Sequence, residues 1–140
     1  RNELARYRDS SWSVWPRVPE ARRDAAIFRL AVRGDLFFFG GRTAAGISDE
    51  TWSLGAYEHE WSPLAPSARP PARERHAMAS MPDTNQAVLF AGRGTSLLAD
   101  TWSFDGTNYR NLTNAVAPVA REGHALVWHT GLQAYLLFGG

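Results

Sequence analysis

The chain repeats itself. Residues 21–41 (ARRDAAIFRLAVRGDLFFFGG) align without gaps to residues 72–92 (ARERHAMASMPDTNQAVLFAG) at an offset of 51, and these align to residues 120–140 (AREGHALVWHTGLQAYLLFGG) at an offset of 48. Five of the 21 columns are identical in all three copies, occupied by Ala21, Arg22, Ala26, Phe39 and Gly41 in the first. A second block follows: Asp49-Glu50-Thr51-Trp52-Ser53-Leu54 matches Asp100-Thr101-Trp102-Ser103-Phe104, and Trp61-Ser62-Pro63-Leu64 matches Tyr109-Arg110-Asn111-Leu112. The N-terminus fits the same register at an offset of 97, with residues 2–7 on 99–104 and residues 12–15 on 109–112, although Ala5 stands where the other copies carry Trp. A period of about 50 residues means stacked supersecondary units that bury their faces on each other.

Within one period the pattern is that of strands. His76–Met81 reads as a short strand a, closed by the turn Pro82-Asp83-Thr84-Asn85. Ala87–Phe90 is continuously apolar, as a strand b buried on both faces must be. Gly92 follows, with Gly41 and Gly140 at the equivalent positions, where the backbone turns sharply or approaches another closely. Thr101–Phe104 alternates as a strand c, Asp105–Asn108 is a hairpin turn, and Tyr109–Leu112 forms an outermost strand d. Four short antiparallel strands per repeat predict the blade of a β-propeller, an all-β architecture. Twelve Gly, eight Pro and six Trp in 140 residues fit a turn-rich fold with large aromatic plugs.

The combination resembles the kelch family across the whole chain. The resemblance rests on the Gly pairs Gly40-Gly41 and Gly139-Gly140, the Asp-Thr-Trp-Ser element at 100–103, the aromatics Trp61 and Tyr109, and the Arg-x-x-His openings Arg73/His76 and Arg121/His124. Ala91-Gly92, Ala25 in place of His and Ala5 in place of Trp depart from it. Read in order, the strands give c-d/a-b-c-d/a-b-c-d/a-b: residues 1–18 supply c-d, 19–65 and 66–113 two whole blades, and 114–140 strands a-b. That is about three blade equivalents, whereas kelch propellers look like rings of six or seven. Two accounts stay open: further blades belong to a longer gene product, or a second copy completes a six-bladed ring.

Most recurrent residues are expected to be structural. Trp52, Trp102, Trp61 and Tyr109 are placed as wedges between blades, and Asp49 and Asp100 as short carboxylates that fix the b–c turn. The charge pattern is more informative. Connections d–a and b–c share one rim, and nine Arg fall there, among them Arg22, Arg73, Arg75 and Arg121; the opposite rim, with Arg8 and Arg33, is acidic. The Arg22/73/121 column precedes strand a, nearest the axis, with His76 and His124 beside it. Such guanidinium groups suit carboxylates; alternatively each Arg pairs with an acid in the next blade and only staples the ring.

Function is expected to be that of a non-catalytic interaction module whose Arg-rich rim takes an acidic peptide or an anionic glycan, the candidate ligand residues being Arg22, Arg73, Arg75, Arg121, His76 and His124. A structural domain of a bacterial surface protein is one alternative. A sugar-processing enzyme is the other. Galactose oxidase-like relatives use copper and a Cys–Tyr crosslink, for which this chain has no Cys, and sialic-acid epimerase relatives would be imitated by Arg73, Glu74, His76, Arg121, Glu122 and His124. No cofactor or metal is expected, since no HxH or HExxH spacing exists. A net charge of +1 gives no footprint for nucleic acid. All fifteen basic residues are Arg, as GC-rich coding produces. No apolar run is long enough to span a membrane, no signal peptide is visible, and Arg1 in place of Met suggests a gene product that begins upstream. Cytoplasmic and secreted locations are both allowed.

Overall fold

The computed structural model describes residues 3–15, 17–31 and 34–140; the expectations attached to Arg1, Asn2 and Arg33 lie outside the described residues. In chain order the strands are β1 (Leu4–Arg8), β2 (Ser11–Trp15), β3 (Ala26–Arg29), β4 (Leu36–Phe39), β5 (Arg42–Thr43), β6 (Gly46–Ile47), β7 (Thr51–Leu54) and β8 (Ser62–Leu64). They continue with β9 (Ala77–Met81), β10 (Gln86–Arg93), β11 (Leu97–Phe104), β12 (Tyr109–Asn111), β13 (Ala125–His129) and β14 (Ala134–Phe138). Among the described residues there is no α-helix, only one 3-10 turn at Thr130–Leu132. The fold is all-β.

Its sheets are small, antiparallel and open. Two have four strands, in the orders β3-β4-β7-β8 and β9-β10-β11-β12, so each is a meander; β1-β2, β13-β14 and β5-β6 are two-stranded. The pairing registers superimpose by the repeat offsets. Ala26↔Phe39, Ala77↔Phe90 and Ala125↔Phe138 are equivalent, as are Phe38↔Trp52 and Leu89↔Trp102. The N-terminal hairpin obeys the same rule: Tyr7↔Trp12 stands where Phe104↔Tyr109 stands.

Some bounds differ from the sequence expectation. Strand a of the third unit begins at Ala77, not His76, and strand d ends at Asn111. Strands b and c run on to Arg93 and back from Leu97, because the Gly pair does not end the ladder. It makes a bulge between Phe90 and Gly92, where Ala91 takes φ 55°. Gly40 and Gly139 share that left-handed conformation without a Cβ. In the first copy the extension is the separate β5-β6 hairpin.

The apolar residues of strand b explain the layering, because side chains alternate between the two faces of a strand. Phe37 and Phe39 of β4 join Phe28 and Leu30 on one face and pack against Ala87, Leu89, Phe104 and Tyr109 of the next sheet. Phe38 points the other way, into a cluster with Leu54 and Trp61 that the N-terminal hairpin covers with Leu4 and Trp15. Trp61 and Tyr109 are thus buried between sheets, while Trp52 and Trp102 are half-buried at the same seams. One polar link crosses the larger cluster: Thr51 and Tyr109 share a buried hydroxyl–hydroxyl hydrogen bond of 3.1 Å.

Candidate functional site

The loops before β3, β9 and β13 and those after β4, β10 and β14 gather at one edge of the sheets. Each loop of the first set carries a residue of left-handed φ directly ahead of the strand-a opening: Asp24 (57°), Arg75 (54°) and Gly123 (69°). This turn aims backbone groups at the neighbouring copy. Arg75 N–H donates to Asp24 C=O and Gly123 N–H to Arg75 C=O; Gly41 N–H donates to Arg73 C=O and Gly92 N–H to Arg121 C=O.

The recurrent Arg column is bound within its own repeat. Arg73 is fully buried; its Nη1 and Nη2 donate to Asp100 at 2.6 Å each, its Nη1 to Ala91 C=O, and its Nε to Pro71 C=O. Arg22 donates to Gly40 C=O and to Glu50, each at 3.0 Å, and lies over the Phe38 ring. The staple expected to reach an acid in the next unit therefore closes inside one unit. Asp49 is displaced from its expected role: Glu50, one residue on, occupies the place of Asp100, and Asp49 pairs with Arg69 at 3.0 Å. The Trp residues join the same sites, since Trp52 Nε1 donates to Glu50 and Trp102 Nε1 to Asp100.

Neighbouring copies are joined by a second pattern that sequence reading missed. Arg42 of one copy holds Glu74 of the next in a bidentate pair at 2.7 and 2.8 Å, and Arg93 holds Glu122 in the equivalent place. Arg75 lies between Asp24 (3.7 Å) and Glu122 (3.3 Å). The acidic residue before Thr-Trp in both copies was a visible signal for Glu50. Nothing in the aligned columns marked Arg42 and Glu74, because Arg23 stands where Glu74 and Glu122 recur.

These contacts set the protonation states. The Arg42 and Arg93 hydrogen bonds hold Glu74 and Glu122 below the usual carboxylate range, and the Arg22 bond does the same for Glu50. Burial works against ionisation of Asp100, but its bonds from Arg73 and Trp102 prevail and lower it. Burial pushes His76 down to about 3, helped by the Arg73 and His124 charges, and it also lowers His124. Both imidazoles meet the last Phe of strand b edge-on, His76 against Phe39 and His124 against Phe90. His76 is therefore a neutral packing group at neutral pH.

Of the expected ligand residues, Arg22 and Arg73 are enclosed, His76 and His124 are buried, and Arg121 donates to the carbonyls of Val119 and Gly139. Arg75 is half-exposed and lines an open depression with Asp24, Ala25, His76, Gly123 and His124. Beside it a second depression is lined by Ala21, Arg22, Arg23, Arg42, Thr43 and Ala44. Around these two depressions Arg23, Arg42, Arg75 and Arg93 are accessible, interleaved with Asp24, Glu74 and Glu122. Among the described residues no group of three His, Asp or Glu is placed to hold a metal ion, and no helix is long and apolar enough to cross a membrane. No protein-family model matches the chain, and no curated protein matches it.

Proposed function

We propose that the chain is an arc of a kelch-type β-propeller, about three blade equivalents in the order c-d/a-b-c-d/a-b-c-d/a-b, and that its Arg-bearing rim docks an acidic segment of a protein partner. The observation that carries the docking reading is a cluster of accessible guanidinium groups, Arg23, Arg42, Arg75 and Arg93, presented on one edge by loops that a hydrogen-bonded frame holds in place. Rigid presentation limits the ordering cost of binding. Guanidinium groups that already hold carboxylates have the geometry to accept another by exchange. A fluorescent oligo-glutamate peptide, with its glutamine counterpart as control, tests the reading by anisotropy. Binding of the acidic peptide alone is expected, weakening as salt rises and by tenfold or more in an Arg23→Ala/Arg75→Ala double variant. Equal binding of both peptides, or none at low salt, overturns it.

The enclosure of Arg22 and Arg73 favours a second reading, a structural domain whose recurrent Arg serves the frame only. An anionic glycan in place of the peptide would bind through the same four cations, and competition between the two would reveal it.

A further inference from the structure

Charges on the strand-a rim join into one row that crosses three copies of the repeat. Arg23 lies 3.6 Å from Asp24, Asp24 lies 3.7 Å from Arg75, Arg75 lies 3.3 Å from Glu122, and Glu122 meets Arg93. Three guanidinium groups and two carboxylates leave the row with one positive charge unbalanced. Arg42 and Glu74 stand beside it as a neutral pair whose fork is filled, Nε and Nη2 each donating to one carboxylate oxygen. Arg75, in the middle of the row, is bound differently. Among the described residues only its Nη1 makes a hydrogen bond, to Glu122, and its contact with Asp24 is too long for one.

The same residue borders a depression of about 430 Å³, with Asp24, Ala25, His76, Gly123 and His124 as its other walls. Burial lowers both imidazoles, so at neutral pH they carry no charge, and their ring nitrogens are not exposed. Gly123 stands where the other copies carry the side chains of Asp24 and Arg75, and a Cβ there would meet nothing within 4 Å. Arg75 is therefore the cation that lines this space. Its backbone is fixed on both sides, by its N–H on Asp24 C=O and by Gly123 N–H on its own C=O, so its place is set before a ligand arrives.

We propose that Arg75 receives one side-chain carboxylate, of Glu or Asp, from the docked acidic segment as a bidentate partner, the stem of that side chain lying in the depression. A carboxylate fits the donors that Arg75 leaves open and neutralises the single excess charge of the row. A phosphate dianion would overfill it and would stand against Asp24 and Glu122, the neighbours of Arg75. The site thus selects a monoanion. The inference rests on the rim reading above and names its central contact.

Anisotropy of the fluorescent oligo-glutamate peptide locates the contact. Arg75→Ala is expected to weaken binding about tenfold, and Arg75→Lys nearly as much, because an ammonium keeps the charge without the fork. Arg23→Ala and the paired Arg42→Gln/Glu74→Gln variant are expected to weaken it by no more than about threefold. Gly123→Asp adds a carboxylate to the depression in the left-handed turn that Asp24 already adopts. It is expected to stay folded by circular dichroism and to weaken binding as much as Arg75→Ala. Propionate is expected to displace the peptide at a lower concentration than inorganic phosphate, at neutral pH and equal ionic strength. Undiminished binding in Arg75→Ala, or parent-like binding in Arg75→Lys, overturns the inference, as does stronger displacement by phosphate. Binding that ignores Arg75 but falls in the Arg23 or Arg42 variants removes this contact and leaves the rim reading intact; no peptide binding in the parent overturns both.

Discussion

Arg73, in the loop before β9, and Asp100, on β11 of the same sheet, meet in a bidentate pair, the guanidinium fully buried and both nitrogen–oxygen distances 2.6 Å. Removing the carboxylate leaves a buried cation with only two carbonyls to solvate it. Asp100→Ala is therefore expected to cost about 3–5 kcal/mol. Glu50, in the equivalent pair with Arg22, is half-exposed, and water would replace much of what it gives. Arg22 is itself nearly buried, so Glu50→Ala is expected to cost about 1–3 kcal/mol, less than Asp100→Ala because water reaches the place its carboxylate leaves. Urea unfolding of the two variants checks the order; equal losses would show that burial does not separate the pairs.

Tyr109 and Thr51 belong to different sheets, and their hydroxyls meet in the core. Tyr109→Phe keeps the ring packing on Phe39 and Phe104 but strands the Thr51 hydroxyl, which is only 1% exposed. The expected loss is about 1–3 kcal/mol. Adding Thr51→Val removes the stranded group, and the double variant is expected to recover part of the loss. A double variant weaker than Tyr109→Phe alone would contradict this.

Gly92 has φ +101°, and a Cβ there would lie 2.7 Å from His76 Cβ and 2.9 Å from Glu74 C=O. Neither neighbour can yield without disturbing the strand-a opening. Gly92→Ala is expected to cost more than about 2 kcal/mol. Gly46→Ala serves as the control, since φ is +132° but nothing lies within 4 Å. It is expected to suffer backbone strain alone, about 1 kcal/mol. Thermal midpoints of the two variants compare strain with strain plus collision.

The strand pattern was legible because period-2 alternation and turn residues are local signals, and the repeat presented each signal up to three times. The face assignment of Phe37, Phe38 and Phe39 follows from alternation once the ladder is known. The site was less legible. A one-residue insertion put Asp49 in the aligned column while Glu50 took the contact. Whether an Arg turns inward or out depends on carbonyls brought near only by folding, such as Ala91 for Arg73. The Arg42–Glu74 and Arg93–Glu122 links join different copies, and no alignment of copies to one another can display a contact between them.

Acid sensitivity follows from His76. In the folded state burial pushes it down to about 3, whereas in the unfolded chain it titrates near 6.5. Between those values the unfolded state binds a proton that the folded state does not, so stability is complete above pH 6.5 and falls as pH is lowered through this window. The slope for one such group reaches about 1.4 kcal/mol per pH unit. Glu50, Glu74, Asp100 and Glu122 are lowered in the folded state and reinforce the trend, but only from the ordinary carboxylate range downward. His76→Leu keeps an apolar group against Phe39 and removes the titration. Urea midpoints measured from pH 6.5 down to about 4.5 are expected to decline in the parent and to decline less steeply in the variant, where His124, also lowered by burial, still contributes. Parallel declines would show that the imidazole is solvated and free to take its proton.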